Sequence, residues 1–271
     1  MEILENLVLI LLICSTNLLN TPMYFFLCNL SSLDMVYTSV TSPKLIQIFV
    51  TNNGTNSLPG CITQLFFFVS FWNTEYFLLT VMSYDRYLAN CRPLHYALIM
   101  NSKMCITAAA GTWLGGMLGS IAPNTTSFMA TYQASNELNH FFCDNKALEK
   151  VAVGDTTSIR NAILHRGLLS VATCFIFTLI SYIYIISTIL KIHSTKGKRK
   201  AFSTCASNLS MISSFYILLF DLYFRPKATV SLKQGKVLTI LYVYIIPLLN
   251  PVVYSFRNKD VKEACMELSQ N

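Results

Sequence analysis

The string MSYDRYLANCRPLHY, residues 82–96, closes a long apolar run with Asp85, Arg86 and Tyr87. An arginine guanidinium is always charged and presents a rigid fork of donors. A neighbouring carboxylate can neutralise that fork in one state, and carbonyls or side chains of a partner can take it in another. The plainer use of such an arginine is to snorkel, with its stem in hydrocarbon and its head in water. Two further acids, Asp34 and Glu75, lie deep in apolar sequence. Each costs about 3 kcal/mol at the centre of a membrane helix unless it is paired or hydrated. Toward the other end, PLLNPVVY contains Asn250, Pro251 and Tyr254. A proline there removes one helix hydrogen bond and permits a kink, and an asparagine can satisfy the freed backbone groups. No enzyme constellation accompanies these residues. His-Glu-x-x-His and Gly-x-Ser-x-Gly are absent, and His95, His140, His165 and His193 fall in loops or at the ends of apolar runs.

The elements that position these groups are membrane spans. The chain has 271 residues, 53% of them hydrophobic and 12% charged, whereas soluble domains carry about 25% charged residues. Six stretches reach the roughly 20 apolar residues that a span requires, at about 23–50, 62–84, 104–123, 167–190, 201–224 and 237–256. A shorter one at about 7–16 reads as the inner part of a further helix. The longest connection is the polar stretch 124–160. Basic residues cluster around Arg86, Arg92 and Lys103, at Lys191, Lys196, Lys198, Arg199 and Lys200, and at Arg257, Lys259 and Lys262. With alternating spans these clusters share one side, which the positive-inside rule makes cytoplasmic. The net charge of +7 is thus membrane anchoring, and no nucleic-acid module accompanies it. Of nine cysteines, Cys61 and Cys143 lie in segments that can face an oxidising compartment, so at most one disulfide is expected. The acidic opening MEILENLVLILLIC does not read as a cleavable signal peptide.

Five strings are more specific. TPMYFFLCNLSSLD, MSYDRYLANCRPLHY, NHFFCD, KAFSTCASNLS and PLLNPVVYSFRNKDVK, in this order and spacing, resemble the olfactory receptors, a branch of the rhodopsin-like G-protein-coupled receptors. The resemblance implies an all-α membrane protein over residues 1–271. It would be a seven-transmembrane helix bundle with an incomplete first helix and a short amphipathic helix after the last span. It implies an odorant receptor in the plasma membrane (of olfactory cilia) that binds a small volatile, mostly hydrophobic molecule. The implied partner is a stimulatory heterotrimeric G protein, whose activation raises cyclic AMP. The alternative reading is a truncated, non-signalling protein held in the endoplasmic reticulum. Asn6 matches the family's Gly-Asn pair, with Glu5 in place of the glycine, and the usual outer tail is not in this sequence.

The resemblance also assigns residues. Asp85, Arg86, Tyr87, Tyr182, Asn250, Pro251 and Tyr254 form the coupling switch. Asp34, Glu75 and Asn250 converge on a hydrated cavity suited to a sodium ion or a shared proton, and no other cofactor or metal is implied. Cys61 and Cys143 form the extracellular bridge, while a second pair usual in the family is replaced by Gln133 and Val153. His is usual where this chain has Asn208. Helical spacing in the outer halves of the spans groups Phe68, Trp72 and Asn73, then Tyr216, Phe220 and Tyr223, then Ile240 and Tyr244. An aromatic cavity of that kind suits a small hydrophobic ligand, although some of these side chains are expected simply to pack helices. Arg166 and Asp221 are charges near outer ends of spans and receive no role. Sequons at Asn53 and Asn124 are candidate glycosylation sites on the outer side, and the pattern at Asn29 is expected to be unmodified inside a span. Cys265 is either a palmitoylation site or a buried thiol.

Other functions lack their signatures. A transporter calls for internal repeats and paired broken helices, and the chain has neither. A retinal-binding protein needs a lysine in the last span about where Tyr244 stands, and Lys236 is too near the outer end.

Overall fold

The computed structural model describes residues 2–51, 55–129 and 157–191, the short segments 131–132, 137–139 and 152–153, and positions 148, 194, 198, 205, 209, 212–214, 216–217 and 261. Its helices are α1 (Glu2–Ser15), α2 (Pro22–Thr51), α3 (Leu58–Cys91), α4 (Pro93–Ile99), α5 (Ser102–Met129) and α6 (Thr157–Leu190), with a 3-10 turn at Asn17–Asn20. Among the described residues, three helical segments are long and apolar enough to cross a membrane: Leu58–Cys91, Ser102–Ile121 and Gly167–Leu190.

The helices outrun the apolar stretches that announce them. At about 1.5 Å per residue, α3 is about 51 Å long, against a hydrocarbon core of about 30 Å. Hydropathy registers the bilayer, whereas the backbone ladder continues into water until something stops it. The connection expected at 124–160 therefore shrinks, because α5 continues to Met129 and α6 begins at Thr157. No residue pattern announced the strands in these connections. β1 (Thr55–Ser57) pairs antiparallel with β3 (Glu137–Asn139), and β2 (Thr131–Tyr132) with β4 (Ala152–Val153). Such short ladders pair backbone groups that helices would otherwise leave without partners.

Helix α3 is the hub, packed against α2, α4, α5 and α6, while α1 lies on α2. Its buried Leu78, Leu79 and Met82 share one core with Leu27 of α2 and Ile185 and Ile189 of α6. Polar contacts fix the helix rotations. Trp113 Nε1 of α5 donates to Asn29 Oδ1 of α2 at 3.2 Å, and the hydroxyls of Ser70 and Ser120 meet at 2.6 Å between α3 and α5. Gly116 lets these two helices touch: a Cβ there would collide with the Thr74 hydroxyl and lie 2.7 Å from Ser70 O. The outward faces of α5 and α6 are strongly apolar, with Leu114, Leu118, Ile176 and Phe177 exposed. A continuous face of this kind belongs against lipid.

Candidate functional site

The end of α3 at Cys91 is built by one proline. Pro93 lacks an N–H and disfavours helical geometry at the residue before it. Arg92 accordingly leaves the helix, with φ −134° and ψ 55°, after a last bond from its N–H to Leu88 O. Pro93 then occupies the first turn of α4, where its missing donor costs nothing. Helix α4 stops at Met100, whose N–H bonds Tyr96 O at 2.8 Å. Asn101 opens α5, its Oδ1 accepting the Met104 N–H at 2.9 Å, as a helix N-cap does.

This double turn brings α4 back alongside α3, and the Tyr96 hydroxyl donates to Asp85 Oδ1 at 2.7 Å. The other carboxylate oxygen of Asp85 lies 3.5 Å from a terminal guanidinium nitrogen of Arg86. The Asp85 side chain is 1% exposed and that of Arg86 12%. Asp85 is thus a buried carboxylate held by a cation on one side and a phenol on the other. Burial and then the Asp85 charge hold the Tyr96 phenol above its usual range, so it remains a donor throughout physiological pH. Arg86 Nε is buried and makes no hydrogen bond among the described residues. The fork is neutralised but not saturated. A buried donor without a partner is costly, and that cost favours a rearrangement in which the fork finds further acceptors.

Arg86 was expected at a helix end. Instead α3 runs on to Cys91, and Asn90 Nδ2 donates to Arg86 O at 2.8 Å. The switch residues therefore sit on a rigid, fully bonded turn. Tyr87 stacks on Tyr84, with ring centroids 6.1 Å apart, and meets the edge of Tyr184 of α6 at 5.9 Å. Below them, Cys91 Sγ and Thr188 Oγ1 lie 3.2 Å apart. Tyr182 is buried on α6. Asn250, Pro251 and Tyr254 lie outside the described residues.

Comparison with known proteins now bears on this arrangement. The olfactory receptor family profile matches residues 1–270. Olfactory receptor 9G4 of Homo sapiens is 43% identical over 265 residues, covering 98% of this chain and 81% of that protein. Olfactory receptor 6Y1 of Homo sapiens is 41% identical, with 97% and 81% covered. Olfactory receptor 5AR1 of Mus musculus is 40% identical, with 98% and 86% covered. The chain belongs to the olfactory receptor family. This olfactory receptor is accordingly a seven-transmembrane, multi-pass plasma-membrane protein, and a receptor, not an enzyme.

The other residues singled out from sequence fall in several places in the olfactory receptor. Asp34 on α2 and Glu75 on α3 are 2% and 8% exposed, turned inward as acids within apolar helices generally are. Their expected neighbour Asn250 lies outside the described residues. Phe68 packs on Tyr37 and Trp72, with centroids at 5.3 and 5.7 Å. Asn73 Nδ2 donates to Gly116 O of α5 at 3.3 Å. The Phe68–Tyr37 and Asn73–Gly116 contacts are between helices, whereas Phe68 and Trp72 lie one turn apart on α3. Tyr216 is 2% exposed and meets the edge of Phe175 at 4.9 Å. Phe220, Tyr223, Ile240, Tyr244 and Asp221 lie outside the described residues, and Arg166 is in α6. Cys61 is buried and disulfide-bonded, while Cys143 and Cys265 lie outside the described residues.

One candidate needs correction. Asn124 sits within α5, 6% exposed, with its Nδ2 donating to Ser120 O at 2.7 Å. A glycan requires an accessible amide, and this one is turned into the bundle. Asn53 lies outside the described residues. Asn29 is half-buried and holds Trp113, in keeping with an unmodified side chain.

Sequence reasoning missed Tyr96, although it lies in the string that raised the switch. Its signal was an aromatic hydroxyl three residues after the helix-starting Pro93. It missed Glu2 too, whose carboxylate is buried in α1 against the Thr38 hydroxyl of α2. An acid in the first turn of a helix, beside Glu5, gave no clue to its neighbour on another.

Proposed function

We propose that this receptor binds a small, mostly hydrophobic odorant in the outer half of its helix bundle and couples to a stimulatory heterotrimeric G protein, raising cyclic AMP. The observation that carries the reading is the Asp85–Arg86–Tyr96 cluster, a buried charged fork neutralised by a carboxylate at the end where α4 projects Leu94 and Leu98, 89% and 76% exposed. Arg86 supplies charge for the carbonyls of an entering helix, and the two leucines supply apolar contacts beside it. Tyr182, Asn250, Pro251 and Tyr254 serve as the moving counterparts of Arg86.

In the same reading Trp72 and Tyr216, with Phe220, Tyr223, Ile240 and Tyr244, line the odorant cavity. Asp34 and Glu75 supply negative charge for a sodium ion or a shared proton that steadies the inactive state. The disulfide at Cys61 joins it to Cys143.

The test is cyclic AMP accumulation in cells expressing the chain, against a broad odorant panel, with surface staining and the Arg86→Ala variant beside it. An odorant response that disappears in the variant at equal surface density is expected. A response that persists in the variant would remove Arg86 from the coupling step.

A further inference from the structure

On the membrane side of the switch, between α3, α5 and α6, lies a cavity of about 230 Å³. Val81, Tyr84, Met100, Met104, Ala108 and Phe177 form most of its wall. It is distinct from the odorant cavity proposed for the outer half, although Met100, Val81 and Ala108 of its wall also pack in the main core. Two hydroxyls complete the lining, Thr80 and Ser181. Both are turned to their own helices, Thr80 Oγ1 donating to Tyr76 O at 2.8 Å and Ser181 Oγ to Phe177 O at 2.9 Å. The Thr80 and Ser181 protons are therefore committed, which leaves the Tyr84 phenol as the remaining hydroxyl of an otherwise apolar wall, and such a lining selects for an apolar occupant.

Its position says which apolar occupant. The wall lies largely in the membrane-crossing segments, and at its edge Tyr84, Met104 and Phe177 are 40%, 41% and 60% exposed. The opening faces the bilayer. A space below the roughly 300–1,000 Å³ of an ordinary small-molecule pocket admits one strand of a longer molecule whose remainder stays in lipid. Water is a poor filling, because it requires two to four polar partners. An empty apolar space would forfeit the dispersion contacts of its lining.

We propose that this cavity is a binding site for one acyl chain of an inner-leaflet phospholipid, and that its occupancy holds the switch closed. The link to the switch is short. Met100 forms part of the wall, and its N–H caps α4 through Tyr96 O at 2.8 Å. Tyr84, on the opposite wall, stacks on Tyr87. A chain lodged between Met100 and Tyr84 braces α4 against α3, the arrangement in which the Tyr96 hydroxyl reaches Asp85.

The full chain in phospholipid nanodiscs, doped with a phospholipid carrying a diazirine midway along one acyl chain, provides the test. After photolysis, peptide mapping is expected to find label concentrated on Tyr84, Met104 and Phe177. Ala108→Trp fills the cavity, and that label should be lost while label on the outward Leu114 and Leu118 persists. Ser181→Phe, which fills from α6, guards against a folding failure of the first variant. In cells, either filled variant should keep basal cyclic AMP per surface receptor at or below that of the unmodified chain, because the inserted ring replaces the brace. Label no denser in the cavity than at Leu114 and Leu118, or unchanged by filling, would reduce the cavity to ordinary surrounding lipid and overturn the proposal. Preferential labelling by a diazirine sterol in a parallel arm would overturn the acyl-chain assignment.

Discussion

Replacing Tyr96 by phenylalanine removes one hydroxyl and leaves the half-buried ring in place. The lost interaction is the 2.7 Å bond to Asp85 Oδ1. A hydrogen bond to a charged group contributes about 1.5–3 kcal/mol net. The bond depends on α4 lying against α3 with Asp85 buried, so its contribution falls on the closed state. At about 1.4 kcal/mol per tenfold change in an equilibrium, the ratio of open to closed receptor should rise by about tenfold to a hundredfold. With a minor open state of about 0.1–10%, basal signalling becomes easily detectable. The assay is ligand-free cyclic AMP, normalised to surface receptor, for the unmodified chain, Tyr96→Phe, Asp85→Asn and the double variant. Tyr96 acts through Asp85, so the two effects should be strongly non-additive, since residues in direct contact couple by about 0.5–3 kcal/mol. Basal activity of Tyr96→Phe equal to that of the unmodified chain, at equal surface density, would refute the reasoning. It would mean that the bond is made equally in both states. The phenol stays protonated across the working range, so its own ionisation does not contribute to the effect.

Further tests address packing, glycosylation and the intramembrane acids. Gly116→Ala should abolish surface expression, because its Cβ would stand 2.7 Å from Ser70 O and 2.8 Å from Thr74 N, whereas Gly111→Ala meets nothing within 4 Å. At Gly111, alanine should raise the melting temperature of the solubilised receptor slightly, by the helix preference of about 1 kcal/mol. Asn124→Gln should leave the gel shift on glycosidase treatment unchanged, because Asn124 is buried and bonded within α5. For the sodium reading, raising sodium at constant ionic strength should lower basal cyclic AMP in inside-out membranes bearing the unmodified chain. Asp34→Asn should abolish that response, and a sodium-insensitive unmodified chain would leave the shared proton as the role of the two acids.

Long helices were legible because burial in hydrocarbon demands long apolar runs, and the runs at about 23–50, 62–84, 104–123 and 167–190 lie within α2, α3, α5 and α6. Helix ends were less legible, since the ladder of backbone bonds does not stop where the bilayer does. At Arg92 the stop is local, and Pro93 announces it. Asp85 and Arg86 could be read as a pair because they are adjacent and their charges are opposite.

Tyr96 reaching Asp85, Trp113 reaching Asn29, Gly116 meeting Thr74 and the cavity beside Ala108 could not be read in this way. Each depends on how far one helix is rotated and shifted against another, a quantity that the whole core sets and no local spacing encodes. The sequence by itself determined the membrane class and the chemistry available at the end of α3. It did so through transfer free energies and residue types, which act locally. Only the tertiary structure decided which groups touch, because contacts between helices are fixed collectively by close packing.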